Sequence, residues 1–182
     1  YLYRTKNLTL NYEINSNEAL EAYVDSDWAA DSADRKSTTG IVIRVFGNPI
    51  MWKTTKQKVV ARASTHAEFY ALADCVSEVL PLKGILKDFN LTLKEAIPIF
   101  EDNSGAIAIA KNGKFSKNSK HIDVSYHFVH DYEVKQEICV KKISTEDQLA
   151  DILTKALAKT KFRKFREALN LGVAKNSVSR NT

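Results

Sequence analysis

Apolar residues along this chain alternate between two kinds of spacing. They fall in short runs at Ala22–Trp28, Gly40–Phe46, Ile50–Thr54, Ile97–Glu101 and Ile138–Ile143. Runs of that length, rich in β-branched and aromatic residues, predict strands. Gly47-Asn48-Pro49 separates the second run from the third and predicts a tight turn, hence an antiparallel, three-stranded start. Between them and the fourth run the spacing changes. Leu72, Cys75, Val79, Leu82, Leu86 and Phe89 recur at three- and four-residue steps, the apolar stripe of a long helix facing a sheet. Thr65-His66-Ala67-Glu68 fits a capping box at its start. Pro81 falls inside, and because an interior proline costs roughly 3 kcal/mol, a kink or break is expected near Leu80.

Ser104 to Asn112 predicts a small-residue helix closed by Gly113, and Ile122 to Gln136 a further helix. Thr145-Glu146-Asp147-Gln148 offers a second capping box, ahead of a helix carrying Asp151. Phe162, Phe165 and Leu169 give the final helix one apolar edge. Trp28 and Trp52 are expected in the core, and His66 and His130 at the surface. Tyr1 to Asn17 is polar and irregular and reads as a connector. The order of elements predicts an α/β domain with a mixed sheet.

The 182 residues suffice for one domain with a sizeable core. No apolar run is long enough to span a bilayer, and the first residues lack the apolar core of a signal peptide. Cys75 and Cys139 form neither a disulfide framework nor a metal-ligand pattern, which suits a reducing compartment. Charge is uneven: eight of the 27 basic residues but one of the 22 acids follow Asp151. A basic end on a near-neutral body offers phosphate-binding charge or a solvated helix face, and charge alone does not choose.

Tyr23-Val24-Asp25-Ser26-Asp27-Trp28 changes the picture most. Strand interiors disfavour Asp, and a desolvated carboxylate requires a positive partner. Glu68, Asp102 and Asp151 are acids at a helix start, a strand end and a further helix start. If the four converge they repel one another until divalent cations neutralise them, the requirement of two-metal phosphodiester hydrolysis. Each also has a local role open to it: Glu68 in its capping box, Asp102 as a cap for the Ser104 helix, Asp151 on a helix face. Spacing alone does not bring them together. His121 and His127, six residues apart, do not share a helical face, so zinc is disfavoured.

Collinear stretches then carry a resemblance. They are Tyr23 to Ala29, Asp34-Arg35-Lys36-Ser37-Thr38-Thr39-Gly40, Trp52 to Val60, Ser64-Thr65 with Ala67-Glu68, Glu101-Asp102-Asn103, Lys120-His121-Ile122-Asp123, Tyr126-His127-Phe128, and Gln148-Leu149-Ala150-Asp151-Ile152-Leu153-Thr154-Lys155. Over about Tyr1 to Gly172 the chain resembles the ribonuclease H region of copia-type LTR-retrotransposon Pol polyproteins. The resemblance implies a ribonuclease H-like fold, a mixed five-stranded sheet flanked by helices. It implies hydrolysis of the RNA strand of RNA–DNA hybrids during reverse transcription, with Asp25, Glu68, Asp102 and Asp151 as both catalytic and metal-binding residues. Mg2+ is the implied ion, with Mn2+ as a substitute, and no small-molecule cofactor.

Asn103 and Ser104 are expected to reach the hybrid's minor groove, where 2′-hydroxyls mark RNA. Lys36, Ser37, Thr38 and Thr39, and the loop from Lys111 to Lys120 with His121, are expected on phosphates. Residues 1–20 look like the tail of the preceding reverse-transcriptase region, 21–172 the ribonuclease H domain and 173–182 a polar tail. The implied partners are the hybrid and the reverse-transcriptase region of the same polyprotein, not a membrane, and the implied location is intracellular, in a cytoplasmic particle or the nucleus. The sequence departs from the family pattern at Pro81 (usually Trp), His66 (an acid), Ser116 and Asn118 (His and Arg) and Asp147 (Asn). Those departures leave a second reading, a catalytically inactive or repurposed module that binds a hybrid or partner, and a third, another polynucleotidyl transferase.

Overall fold

The computed structural model describes residues 2–13, 19–29, 33–91, 93, 95–112 and 120–174. Seven strands and six helices are described, in chain order: α1 (Leu2–Thr5), β1 (Leu8–Leu10), β2 (Glu21–Asp27), β3 (Thr38–Val45), β4 (Asn48–Lys56), α2 (Ser64–Asp88), β5 (Ile97–Glu101), α3 (Ser104–Asn112), α4 (Lys120–Val134), β6 (Ile138–Lys142), α5 (Asp151–Thr154), α6 (Lys159–Ala168) and β7 (Leu171–Val173).

The main sheet has five strands in the order β4-β3-β2-β5-β6. β2, β3 and β4 pair antiparallel, as the hairpin signal predicts. β5 and β6 then add parallel to β2, each after a helical crossover. Side chains alternate across the sheet. Ala22, Val24, Ile41, Ile43, Ile97, Ile99 and Val140 join Leu72, Cys75, Val76 and Val79 of α2 in the larger core. On the opposite face Tyr23, Val42 and Phe100 meet Leu149, Ala150 and Phe165, carried by the α5 and α6 region. The sheet is therefore a wall between two apolar layers, and side chains at its carboxyl edge draw on both.

Five local expectations are corrected. α2 runs through Pro81 without interruption: the proline is exposed, so solvent can hydrate the carbonyl it leaves unpaired, while Val79, Leu82 and Leu86 on either side stay packed and offset the cost. Phe89 leaves the stripe and is exposed. Neither capping box forms: α2 starts at Ser64 with Ala63 as its cap and no side-chain bond, so Thr65 already lies inside the helix, and Gln148 turns to the Val24 and Phe100 carbonyls instead. Trp28 and Trp52 are 48% and 57% exposed rather than core, since Trp28 follows the last residue of β2 and Trp52 lies on the edge strand. His130 is half-buried and its Nδ1 lies 2.9 Å from the Ala110 carbonyl oxygen.

The connector contributes structure as well: β1 pairs antiparallel with β7 in a second, two-stranded sheet, joining the two ends of the domain. Gly113, Ser116, Asn118 and most of the basic loop from Lys111 lie outside the described residues, as does the tail from 175 on.

Candidate metal centre

β2 and β5 lie side by side and parallel, with Tyr23 level with Phe100 and their rings stacked at 4.8 Å. Asp25 and Asp102 stand two residues further along these two chains. Parallel register thus puts two carboxylates level on strands spaced by about 4.8 Å. α2 supplies the third. Gln57, buried at the end of β4, donates from Nε2 to Thr39 Oγ1 at 3.0 Å and to the Ala67 carbonyl at 2.9 Å, fixing the first turn of α2 and the Glu68 that follows Ala67. One carboxylate oxygen from each of Asp25, Glu68 and Asp102 lies within 4.8 Å of the others.

Asp151 arrives from the opposite layer. Gln148 is fully buried and donates to the Val24 and Phe100 carbonyls at 3.0 and 3.2 Å, pinning the approach to α5 across both acid-bearing strands. Gly40 pairs with Asp25 and makes room for α5: a Cβ there would lie 2.7 Å from Thr154 Cγ2 and 3.0 Å from the Ala150 carbonyl oxygen. The acid stands among cations. Lys155 Nζ is 2.9 Å from both Asp25 Oδ1 and Asp151 Oδ1, and Lys161 Nζ is 2.9 Å from Asp151 Oδ2. Thr154 Oγ1 donates to Asp25 Oδ2. Of the four predicted acids, three therefore form a tight group, and the fourth joins Asp25 through a shared ammonium.

Sequence reasoning missed a fifth acid. Glu101, the last residue of β5, is fully buried; its Oε1 accepts the Asn103 N–H at 2.8 Å and its Oε2 has no partner. Glu68 Oε2 is likewise buried and unpaired. Burial first, then the charges of Asp25 and Asp102, push Glu68 up to about 8, with the Ser26 hydroxyl and Lys155 acting the other way. Burial and the Glu68 charge raise Glu101 well above the carboxylate range. Burial raises Asp25 too, opposed by its bonds to Thr154 and Lys155. The two acids raise Lys155 above the usual lysine range despite its partial burial. Lys155, the extended residue that ends α5, lay in a matched stretch of the sequence four residues after Asp151; Lys161 and Glu101 carried no such signal.

The substrate-contact set divides. Ser37 and Thr39 are buried, Ser37 Oγ accepting the Ala29 N–H at 3.2 Å and Thr39 Oγ1 bonding Gln57. Both side chains, one just ahead of β3 and one within it, are thus engaged inside the fold rather than turned to the surface where phosphate contacts were expected. Lys36 and Thr38 are half-buried and Ser104 exposed. Asn103 Oδ1 accepts the Gly105 and Ala106 N–H groups at 2.9 and 3.0 Å, so it, and not Asp102, caps α3. No hydrogen bond from its Nδ2 is found among the described residues. Asp102 Oδ2 instead accepts from Thr145 Oγ1 at 2.7 Å. The side chains of Lys120 and His121 lie outside the described residues. In α6, Lys161 and Lys164 turn to Asp151 and Asp147, which removes two charges from the basic end.

No protein-family model matches the chain. It is 37% identical over 175 residues to the retrovirus-related Pol polyprotein from transposon RE1 of Arabidopsis thaliana, covering 96% of this chain and 12% of that polyprotein. It is 35% identical to the one from transposon TNT 1-94 of Nicotiana tabacum, over 86% of this chain and 12% of the relative. An RNase H1 isolated from compost by a metagenomic approach superposes with a TM-score of 0.57 at 14% identity, over 75% of this chain and 93% of that one. Its complex with an RNA/DNA hybrid gives 0.53 at 13% identity, over 74% and 93%. The chain is homologous to copia-type retrotransposon Pol polyproteins and has the ribonuclease H fold.

It spans about an eighth of those polyproteins' length. The fold neighbours agree with the mixed five-stranded sheet flanked by helices that the resemblance implies. The donor set of Asp25, Glu68 and Asp102 is all carboxylate oxygen, hard ligands suited to magnesium or manganese rather than to thiolate or imidazole metals. The unpaired Glu68 Oε2 is the kind of orphan a cation would satisfy. The residues present therefore fit a divalent ion. No helix among the described residues is long and apolar enough to cross a membrane.

Proposed function

We propose that this chain is the ribonuclease H domain of a retrotransposon Pol polyprotein, a magnesium-dependent endonuclease that hydrolyses the RNA strand of RNA–DNA hybrids during reverse transcription. One observation carries it: Asp25, Glu68 and Asp102 each bring a carboxylate oxygen within 4.8 Å of the others, and Glu68 keeps a buried oxygen without a partner. Magnesium, or manganese in its place, would supply activation of the attacking water and stabilisation of the leaving oxygen.

The chain's own residues do the rest. Asp25, Glu68 and Asp102 hold the ion, and Asp151 completes the acidic set across the shared ammonium. Glu101 and Gln148 fix the backbone on which those acids stand. Asn103 offers its Nδ2 to a 2′-hydroxyl, the group that separates RNA from DNA. Ser104, Thr38 and Lys36 are the accessible remainder of the expected contact set, with Lys120 and His121 on the following helix. The partner in the polyprotein is its reverse-transcriptase region, and the setting is intracellular, in a cytoplasmic particle or the nucleus.

The test is a labelled RNA–DNA hybrid incubated with the purified chain, with magnesium or with chelator, alongside Asp25→Asn. Cleavage of the RNA strand alone, absent with chelator and in the variant, is the expected result. A second reading, a hybrid-binding module without cleavage, draws on the lysine partners that Asp25 and Asp151 already have. Hybrid binding with no cleavage in magnesium or manganese, unrelieved by adding the reverse-transcriptase region, would establish that reading instead.

A further inference from the structure

The two acids on the α5 side already hold a cation. Lys155 Nζ sits between Asp25 and Asp151 at 2.9 Å from one oxygen of each, the place a metal ion bridging the two carboxylates would take. Magnesium–oxygen bonds are about 2.0–2.1 Å long, so an ion bridging those two oxygens and the ammonium cannot coexist. The triad of Asp25, Glu68 and Asp102 is different, because only Asp25 among them touches the ammonium. We propose that Lys155 is a built-in competitor for the second cation, so that the site loads in two unequal steps, the first beside Glu68 with Lys155 in place and the second only when Lys155 leaves. This rests on the metal-site reading above.

The two lysines are not equivalent in this role. Lys155 has a side chain 36% exposed on a flexible four-carbon stem, which gives it a route into solvent. Lys161 is 18% exposed, touches neither Asp25 nor the triad, and is anchored a second time by the Thr145 carbonyl at 2.7 Å. Lys155 is the exchangeable counter-ion and Lys161 the fixed one. With Lys155 in place, the Asp25–Asp151 pair is compensated without metal, while Glu68 is not.

The experiment is Mn2+ binding to the full chain by calorimetry and by electron paramagnetic resonance, with no nucleic acid present, comparing wild type with Lys155→Met and Lys161→Met. Wild type should bind one ion tightly and a second weakly. Removing a positive charge and its steric block should tighten the second step by about tenfold or more, with a smaller change in the first step and in Lys161→Met. A second step unchanged or weakened in Lys155→Met overturns the proposal while leaving the metal site standing. Absence of any Mn2+ binding by wild type overturns the metal-site reading itself. Should Lys155→Met fail to fold, lysine ammonium NMR signals of the wild type during a Mg2+ titration decide. The Lys155 signal must stay through the first equivalent and shift in the second step; a signal unmoved at saturation overturns the proposal.

Discussion

On the α5 side of the sheet, Asp25 and Asp151 share the Lys155 ammonium, while Lys161 pairs with Asp151 and the Thr154 hydroxyl with Asp25. On the α2 side, Glu68 and Glu101 each keep a buried oxygen with no partner, and no ion pair to either is found among the described residues. The two halves answer the same desolvation problem differently. One is neutralised by the chain's own cations, the other by protonation until a cation arrives. Full internal pairing would leave a metal no reason to bind, and none at all would leave the fold with uncompensated repulsion where five acids meet. The division lets the metal-free domain hold together while one half stays receptive.

The largest expected effect breaks the link between the halves. Asp25 belongs to both, so Asp25→Asn should lower hybrid cleavage by more than the ~10–100-fold typical of outer-shell partners and weaken Mn2+ binding, read by gel assay and calorimetry. Retained Mn2+ affinity would mean that the α2 side binds the ion alone.

Gly40→Ala addresses the α5 half. The added methyl meets Thr154 and the Ala150 carbonyl, and overpacking of that kind costs about 1–3 kcal/mol. Urea unfolding should show it, while the first Mn2+ step, which depends on β2, α2 and β5, changes less. Equal loss of both steps would argue that the halves do not separate.

The α2 half should announce itself in pH. Glu68 lies at about 8 in the fold against its ordinary 4.5. Between those values the folded chain holds a proton that the unfolded chain has lost, so metal-free stability should fall as pH rises from about 4.5 through about 8. Asp25 and Glu101, both raised, add in the same direction. Saturating Mg2+ favours the carboxylate and should flatten the fall, and Mg2+ affinity itself should rise with pH. Melting temperatures in chelator and in Mg2+ at constant ionic strength measure this; a metal-free stability that climbs over the same range would refute it.

Smallest is Glu101→Gln. The amide can still accept the Asn103 N–H and removes a carboxyl whose ionisation burial and Glu68 oppose in the fold but not in the unfolded chain. Metal-free stability at pH 8 should rise by about 1 kcal/mol, the scale of one unit of pKa difference, with Mn2+ affinity preserved. A drop in that affinity would make Glu101 a ligand.

Much of the site was visible as residue types. Asp25 stood out because a strand disfavours it, and the parallel pairing of β2 with β5 then set Asp102 level with it. Lys155 stood in the matched stretch, one helical turn beyond Asp151. Ser37 and Thr39 looked like phosphate contacts because polar residues in a polar stretch carry no mark of the face they will take. The capping boxes failed for a related reason: an amide that can cap a helix can also reach a tertiary partner, as Gln148 does, and α2 starts one residue ahead of the Thr65 that would have capped it.

The order of elements from β2 to α6, the long packed stripe of α2 as far as Leu86, and the acids that could hold a metal were all written in the chain, since these follow from periodicity and from the cost of burying charge. Folding was needed to carry α2 through Pro81, to pair β1 with β7, and to gather Glu101, Lys155 and Lys161 around the acids. Those outcomes depend on which side chains meet across the sheet, and contacts between residues far apart in the chain leave no period in it.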